Sequence, residues 1–181
     1  MRFSFSLIFL LLLCVQSCKN NKNQDPAKIL QEVSKDEDFN KGKLSFQFDL
    51  PNDWYRIDTT LHGVFFCILM NNDSMYRPRV NVANESMHGK TQSNYILGTK
   101  EYLTNNATGI ELLENGQFEV SGKNCSWYTY NSINNGIRRE MIFYSIAVND
   151  ISYNITAGLN IGGRARYRKT INEIVKSFKL N

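Results

Sequence analysis

The sequence predicts an α+β domain, an antiparallel β-sheet sandwiched by helices. Three observations carry this. Seven segments show strand periodicity, three before the first helix and four after it, each group without an intervening helix. Two segments, opening near Ser93 and Arg164, carry one-sided apolar stripes of helical period. An amphipathic helix must bury its stripe, and the sheet is the surface on offer.

Leu44, Phe46, Phe48 and Leu50 alternate with polar residues, giving a half-buried strand that Pro51 ends. Val64–Met70 is a short apolar run, read as a strand buried on both faces. Arg79–Glu85 follows as a strand with Val80 and Val82 on one face. Ser93 is the expected N-cap of a helix carrying Tyr95, Ile96, Thr99, Tyr102 and Leu103 on one side. Ile110–Val120 reads as a strand broken at Asn115-Gly116, and Cys125–Asn131 as the next. Asn134-Asn135-Gly136 is a hairpin turn, because Asn and Gly tolerate positive φ. In Arg138–Val148, Ile142, Tyr144, Ile146 and Val148 face one way, and Met141, Phe143 and Ala147 the other. Ile151, Tyr153, Ile155, Ala157 and Leu159 alternate with Ser152, Asn154 and Thr156 in the last strand of an antiparallel meander. The closing helix carries Tyr167, Ile171, Ile174, Val175 and Phe178 as its stripe.

The ends of the chain say where it works. One early cation, Arg2, precedes the apolar run Leu7–Val15 and the small residue Ser17 before Cys18. The run is too short for a permanent span, which needs ~20 apolar residues, and reads as a secretory signal. Val15-Gln16-Ser17-Cys18 resembles the lipobox of bacterial lipoproteins, with Gln16 its unusual member. The resemblance implies cleavage before Cys18, acylation of that cysteine and residence in the bacterial cell envelope. An ordinary secretory signal with an incidental cysteine is the alternative. The organisation expected is a signal over 1–17, a lipidated N-terminus and tether over 18–43, and one folded domain over 44–181. Polar residues and the run Lys35-Asp36-Glu37-Asp38 dominate the tether and give it nothing to pack. Lys19-Asn20-Asn21-Lys22 lacks the early acidic cluster that some lipoproteins use for surface export, so the lipoprotein resemblance implies an outer-membrane anchor facing the periplasm.

The formal charge of +4 is concentrated at the C-terminal end. From Gly162 onward six cations, Arg164, Arg166, Arg168, Lys169, Lys176 and Lys179, stand against Glu173 alone. An envelope address excludes nucleic acid as a partner, and a solvated helix face is the plain reading of these cations. Arg164 and Arg166 in the first helical turn are candidate anion contacts, for a phosphate or a lipid headgroup, because free helical N–H groups there favour anions. Cys67 and Cys125 remain in the folded part as a candidate disulfide or as two small buried hydrophobes.

Phe48-Asp49-Leu50-Pro51-Asn52-Asp53-Trp54 resembles the Leu-Pro-x-x-Trp strand exit of PsbP-like proteins. Val80-Asn81-Val82 before a capped helix, and the ending Ile174-Val175-Lys176-Ser177-Phe178, are similar to the same family. The resemblance spans about Leu44 to Leu180. That family includes photosystem oxygen-evolving subunits, the envelope lipoprotein group called DcrB and a yeast nuclear-import factor. It implies an antiparallel sheet sandwiched by helices, and binding or assembly work without catalysis.

The motifs of catalysis are missing. No P-loop or dinucleotide glycine pattern appears, nor a Gly-x-Ser-x-Gly elbow, nor Cys and His at zinc-ligand spacing. No catalytic residue, cofactor or metal ligand is therefore assigned. His88 with Glu85 is a conceivable metal pair, and a solvated loop is the simpler reading. The expected function is a lipid-anchored envelope protein with a non-catalytic binding or assembly domain, its protein partner unknown. The alternative is a small envelope hydrolase or ligand-handling enzyme whose site the motifs miss.

Overall fold

The computed structural model describes residues 46–57, 65–69, 77–134 and 136–180, all within the unit Asp38–Asn181. The signal, Cys18, the tether, Leu44 and His62 lie outside the described residues.

Eleven elements follow in chain order: β1 (Phe46–Gln47), β2 (Trp54–Ile57), β3 (Phe65–Leu69), β4 (Arg79–Ser86), α1 (Gln92–Asn106), β5 (Glu111–Val120), β6 (Lys123–Asn134), β7 (Ile137–Val148), β8 (Ile151–Leu159), α2 (Gly163–Lys176) and β9 (Lys179–Leu180). Seven strands form one sheet in the order β2-β3-β4-β8-β7-β6-β5, every neighbour antiparallel. Two meanders, β2–β4 and β5–β8, are thus joined where β4 lies against β8.

The β6–β7 hairpin explains the centre. Asn134 pairs with Ile137, leaving a two-residue turn in which Gly136 has φ +76°. From there the register runs unshifted to Cys125 opposite Ile146. Alternation then sorts the side chains. Cys125, Ile142, Tyr144, Ile146, Ile155, Ala157, Leu159, Val80 and Val82 meet Ile171, Ile174, Val175 and Phe178 in one core. Trp127 packs against that same core, where the Arg168 guanidinium lies 4.8 Å from its ring centroid. Tyr128, Tyr130 and Phe143 meet Tyr95, Ile96 and Met87 on the opposite face. The sheet is therefore covered by α2 on one side and α1 on the other, as the periodicities predict.

Four details differ from the sequence reading. Thr91, not Ser93, caps α1: its Oγ1 accepts the Asn94 N–H at 3.3 Å, and the Tyr95 N–H already bonds the Thr91 carbonyl at 2.9 Å. The Gln92 amide also donates to the Ser145 carbonyl at 2.8 Å, which fixes the first turn on the sheet. The opening strand is short, because its only ladder partner, β9, is two residues long. Phe46 is buried while Phe48 and Leu50 are only partly so. β5 is continuous through Asn115-Gly116, with an irregularity in register between Leu112 and Asn115. A Cβ on Gly116 would stand 2.8 Å from the Trp127 ring, so the close approach of that ring explains the glycine.

The fourth correction concerns Cys67 and Cys125, which do not pair. Cys67 in β3 lies opposite Val80, whereas Cys125 belongs to β6, with β4, β8 and β7 between. Four strand spacings make roughly 19 Å. A disulfide needs Cα atoms within about 7 Å. Cys125 is a free, buried thiol, pushed up to about 12 by burial. A thiol so raised is inert packing rather than a nucleophile.

Candidate functional site

Arg164 and Arg166 sit where the sequence places them, in the first turn of α2. Gly162 precedes them with φ +80° and provides no side-chain cap. The missing cap is replaced from the sheet. Glu140 of β7 accepts the Arg164 N–H through Oε2 at 2.7 Å, so the chain sets its own carboxylate at the positive end of the helix. The Arg139 guanidinium donates to Asn160 Oδ1, tying the start of β7 to the β8–α2 turn. The Arg164 N–H thus has a carboxylate partner from within the fold.

Around this point the register assembles a polar cluster. Glu140 lies opposite both Leu159 and Asn131. Asn131 donates through Nδ2 to Glu111 Oε2 at 2.8 Å, and Arg138 reaches the same oxygen at 3.4 Å. Arg168 pairs with Glu114 at 2.7 Å, which holds that carboxyl below its usual range. Asn131 Oδ1 and Arg164 Nη1 are buried without a hydrogen-bond partner among the described residues. Glu140 and Asn131 carry no signal in the sequence, because what they touch is fixed by strand order.

The other face holds a second polar group, beneath α1. The Tyr95 hydroxyl donates to Glu85 Oε2 at 2.8 Å and accepts from Asn154 Nδ2 at 2.6 Å. Asn154 Oδ1 accepts from Ser152 Oγ at 2.7 Å. Since that hydroxyl proton is spent on Asn154, the 2.7 Å contact between Ser145 and Ser152 must be donated by Ser145. Donation therefore runs one way, from Ser145 to the Glu85 carboxylate. Burial first, and the Glu85 charge second, push the Tyr95 hydroxyl above its ordinary value. A phenol raised in this way keeps its proton and acts as a locked donor. The network fixes α1 on a sheet face whose β8 residues, Ser152, Asn154 and Thr156, are polar and yet buried.

Ser86, His88 and Asp150 form the remaining constellation with a catalytic look. Ser86 donates to Asp150 Oδ2 at 2.7 Å, but His88 takes part through its backbone N–H, which donates to Ser86 Oγ at 3.0 Å. Gly89 N–H donates to Asp150 Oδ1 at 2.7 Å. These bonds, that from Gly89 first, hold the Asp150 carboxyl below its usual range. The arrangement clamps the turn after β4, in which His88 has φ +53°. Among the described residues no three His, Cys, Asp or Glu side chains gather as metal ligands, and His88 with Glu85 acquires no third.

No family model and no curated protein matches the chain. Solved structures do. LpqN, involved in cell envelope biogenesis of Mycobacterium tuberculosis, superposes with TM-score 0.60 at 11% identity, covering 89% of this chain and 99% of its own. CyanoP, the cyanobacterial PsbP of Synechocystis sp. PCC 6803, superposes with TM-score 0.53 at 13% identity, covering 78% of this chain and 96% of its own. The fold is PsbP-like. A Pseudomonas aeruginosa protein of unknown function, PA94, described as a putative regulator, shares it with TM-score 0.58 at 8% identity, over 74% of this chain and 96% of its own. At these identities the likeness is one of fold.

Proposed function

We propose that the chain is a bacterial envelope lipoprotein, anchored through acylated Cys18 in the outer membrane and facing the periplasm. Its PsbP-like domain holds or helps assemble another envelope protein and performs no catalysis. The observation that carries this reading is the order Leu7–Val15, Ser17, Cys18, followed by a polar stretch and then a domain of this fold. LpqN, a protein of this shape involved in cell envelope biogenesis, supports the address. The polar networks around Tyr95, Glu140 and Asp150 hold α1, α2 and the turn after β4, which is the work of a scaffold. The partner is an envelope protein and not nucleic acid.

The thiol of Cys18 is the acyl acceptor in this account, and several acyl chains give stable anchoring because each buried methylene contributes ~0.8 kcal/mol. Cys18→Ser is expected to abolish lipidation and to leave unprocessed precursor or a soluble product. Partitioning between detergent and aqueous phases reads this directly. Wild-type partitioning of the variant would reject the anchor.

A further inference from the structure

Six of the nine arginines gather at one end of the sheet, and so do most of the exposed aliphatic side chains among the described residues. The register defines that end. Arg79, Gly158, Met141, Tyr130 and Leu112 lie in one row across five strands. Beyond or beside that row stand Arg77, the start of β7 with Arg138 and Arg139, and the first turn of α2 with Arg164 and Arg166. Ile133 and Ile137 flank the β6–β7 turn, 50% and 43% exposed, and Ile161 stands in the β8–α2 turn, 68% exposed. Leu112 and Leu113, at the start of β5, add two more exposed aliphatics. The turns are held together: Arg139 bonds Asn160, Glu140 bonds the Arg164 N–H, and a Cβ on Gly109 would meet Ile133 at 2.9 Å. Among the described residues the opposite end, with Lys90, Lys123 and Asp150, has two exposed aliphatics, Ile151 and Leu180, and no arginine.

We infer that this end docks on an anionic lipid surface, with Ile133, Ile137 and Ile161 entering the boundary between headgroups and acyl chains and the exposed Arg138 and Arg166 meeting lipid phosphates. The chemistry favours lipid over a protein partner. Among the described residues the turn-tip side chains Ile133, Ile137 and Ile161 are aliphatic rather than the tyrosine or tryptophan that anchors protein interfaces, while the exposed Tyr55 is set back on β2 in the row of Arg79. Guanidinium groups suit phosphate, to which they donate in pairs. Glu111 and Glu140, the acids beside them, are already engaged, by Asn131 and Arg138 and by the Arg164 N–H. Exposed apolar residues ringed by cations are the disposition of a surface that lies on a membrane. The inference adds a second membrane contact to the lipid anchor and uses that reading only for delivery to the bilayer. Phe46, where the described chain begins, pairs with β9 beyond the far end of α2. The 27 residues between Cys18 and Phe46 have a reach of up to roughly 90 Å, so the anchor leaves this end free to meet a bilayer.

The test uses the full chain with Ile161→Trp, mixed with saturating vesicles of phosphatidylcholine and phosphatidylglycerol whose acyl chains are brominated. Flotation with pure phosphatidylcholine vesicles reports the anchor; quenching of the added tryptophan emission in the anionic vesicles, over that of Trp54 and Trp127, reports the docked end. The expected result is loss of most of the added emission. It should be regained in pure phosphatidylcholine, and also when Arg138→Glu and Arg166→Glu are introduced together. Lys123→Trp, at the opposite end, should stay unquenched. Unquenched emission from Ile161→Trp in the anionic vesicles overturns the inference and leaves this end to a protein partner. Equal quenching in the charge-reversed chain also overturns it. A chain that does not float with pure phosphatidylcholine speaks against the anchor alone, since saturating anionic vesicles still test this end by its own affinity.

Discussion

Ile174→Asp is expected to unfold the folded unit. Ile174 is 1% exposed and lies in the core between α2 and the sheet, beside Ile171 and Val175. An aspartate there would leave a carboxylate without water or a partner. The loss of the isoleucine's burial alone costs about 2–5 kcal/mol, and an unpaired buried charge adds several more. Domains of this size have about 5–15 kcal/mol to lose. Circular dichroism at 25 °C should show no cooperative thermal transition. Lys169→Glu, on the exposed face of the same helix, should stay within about 0.5 kcal/mol of the wild type. A normal transition for Ile174→Asp would mean that α2 does not seal this face.

Phe178→Ala is expected to cost ~3–5 kcal/mol. Phe178 is 2% exposed and follows α2 directly. Its ring stacks on Phe46 at 5.8 Å between centroids and meets Phe48 at 5.5 Å and Tyr153 at 5.2 Å. Its carbonyl accepts the Ser121 hydroxyl at 2.7 Å, which fixes the chain where the β5–β6 turn passes. The β1–β9 ladder has only two residue pairs, so it depends on this aromatic cluster. Urea unfolding should show the loss, and hydrogen exchange should show β1 opening before the sheet. Phe48→Ala, at a partly buried position, should cost less. Equal costs would place the anchor of β1 elsewhere.

The sequence was most legible where one face is apolar and a turn fixes the register. β6, β7 and β8 satisfy both conditions, and so their two faces could be read from Cys125, Trp127, Ile142, Tyr144 and Ile155 on one side and Tyr128, Tyr130 and Phe143 on the other. Alternation reports which side a residue faces; it does not report whether a ladder partner exists. The pattern from Leu44 to Leu50 therefore fits a strand of several residues, while β1 forms only as far as β9 can pair with it. Lateral order was illegible for a related reason. β8, the last strand of the second meander, lies against β4 of the first, which sets Cys67 four strand spacings from Cys125. The polar residues under α1 were hidden as well, since Ser152 and Asn154 read as an outward face until Tyr95 and Glu85 are brought over them. At the α2 terminus Arg164 and Arg166 were legible as charge. Glu140, which meets the helix there, comes from the start of β7 and could not be connected to them by spacing.

The central claim is that this domain is tied to a membrane by lipid at Cys18. Mass spectrometry of the N-terminal peptide, from protein extracted out of bacterial membranes, measures this most directly. The account predicts a peptide that begins at Cys18 and carries acyl chains on its thiol and amino group. A peptide that begins elsewhere, or Cys18 with an unmodified thiol, would contradict it.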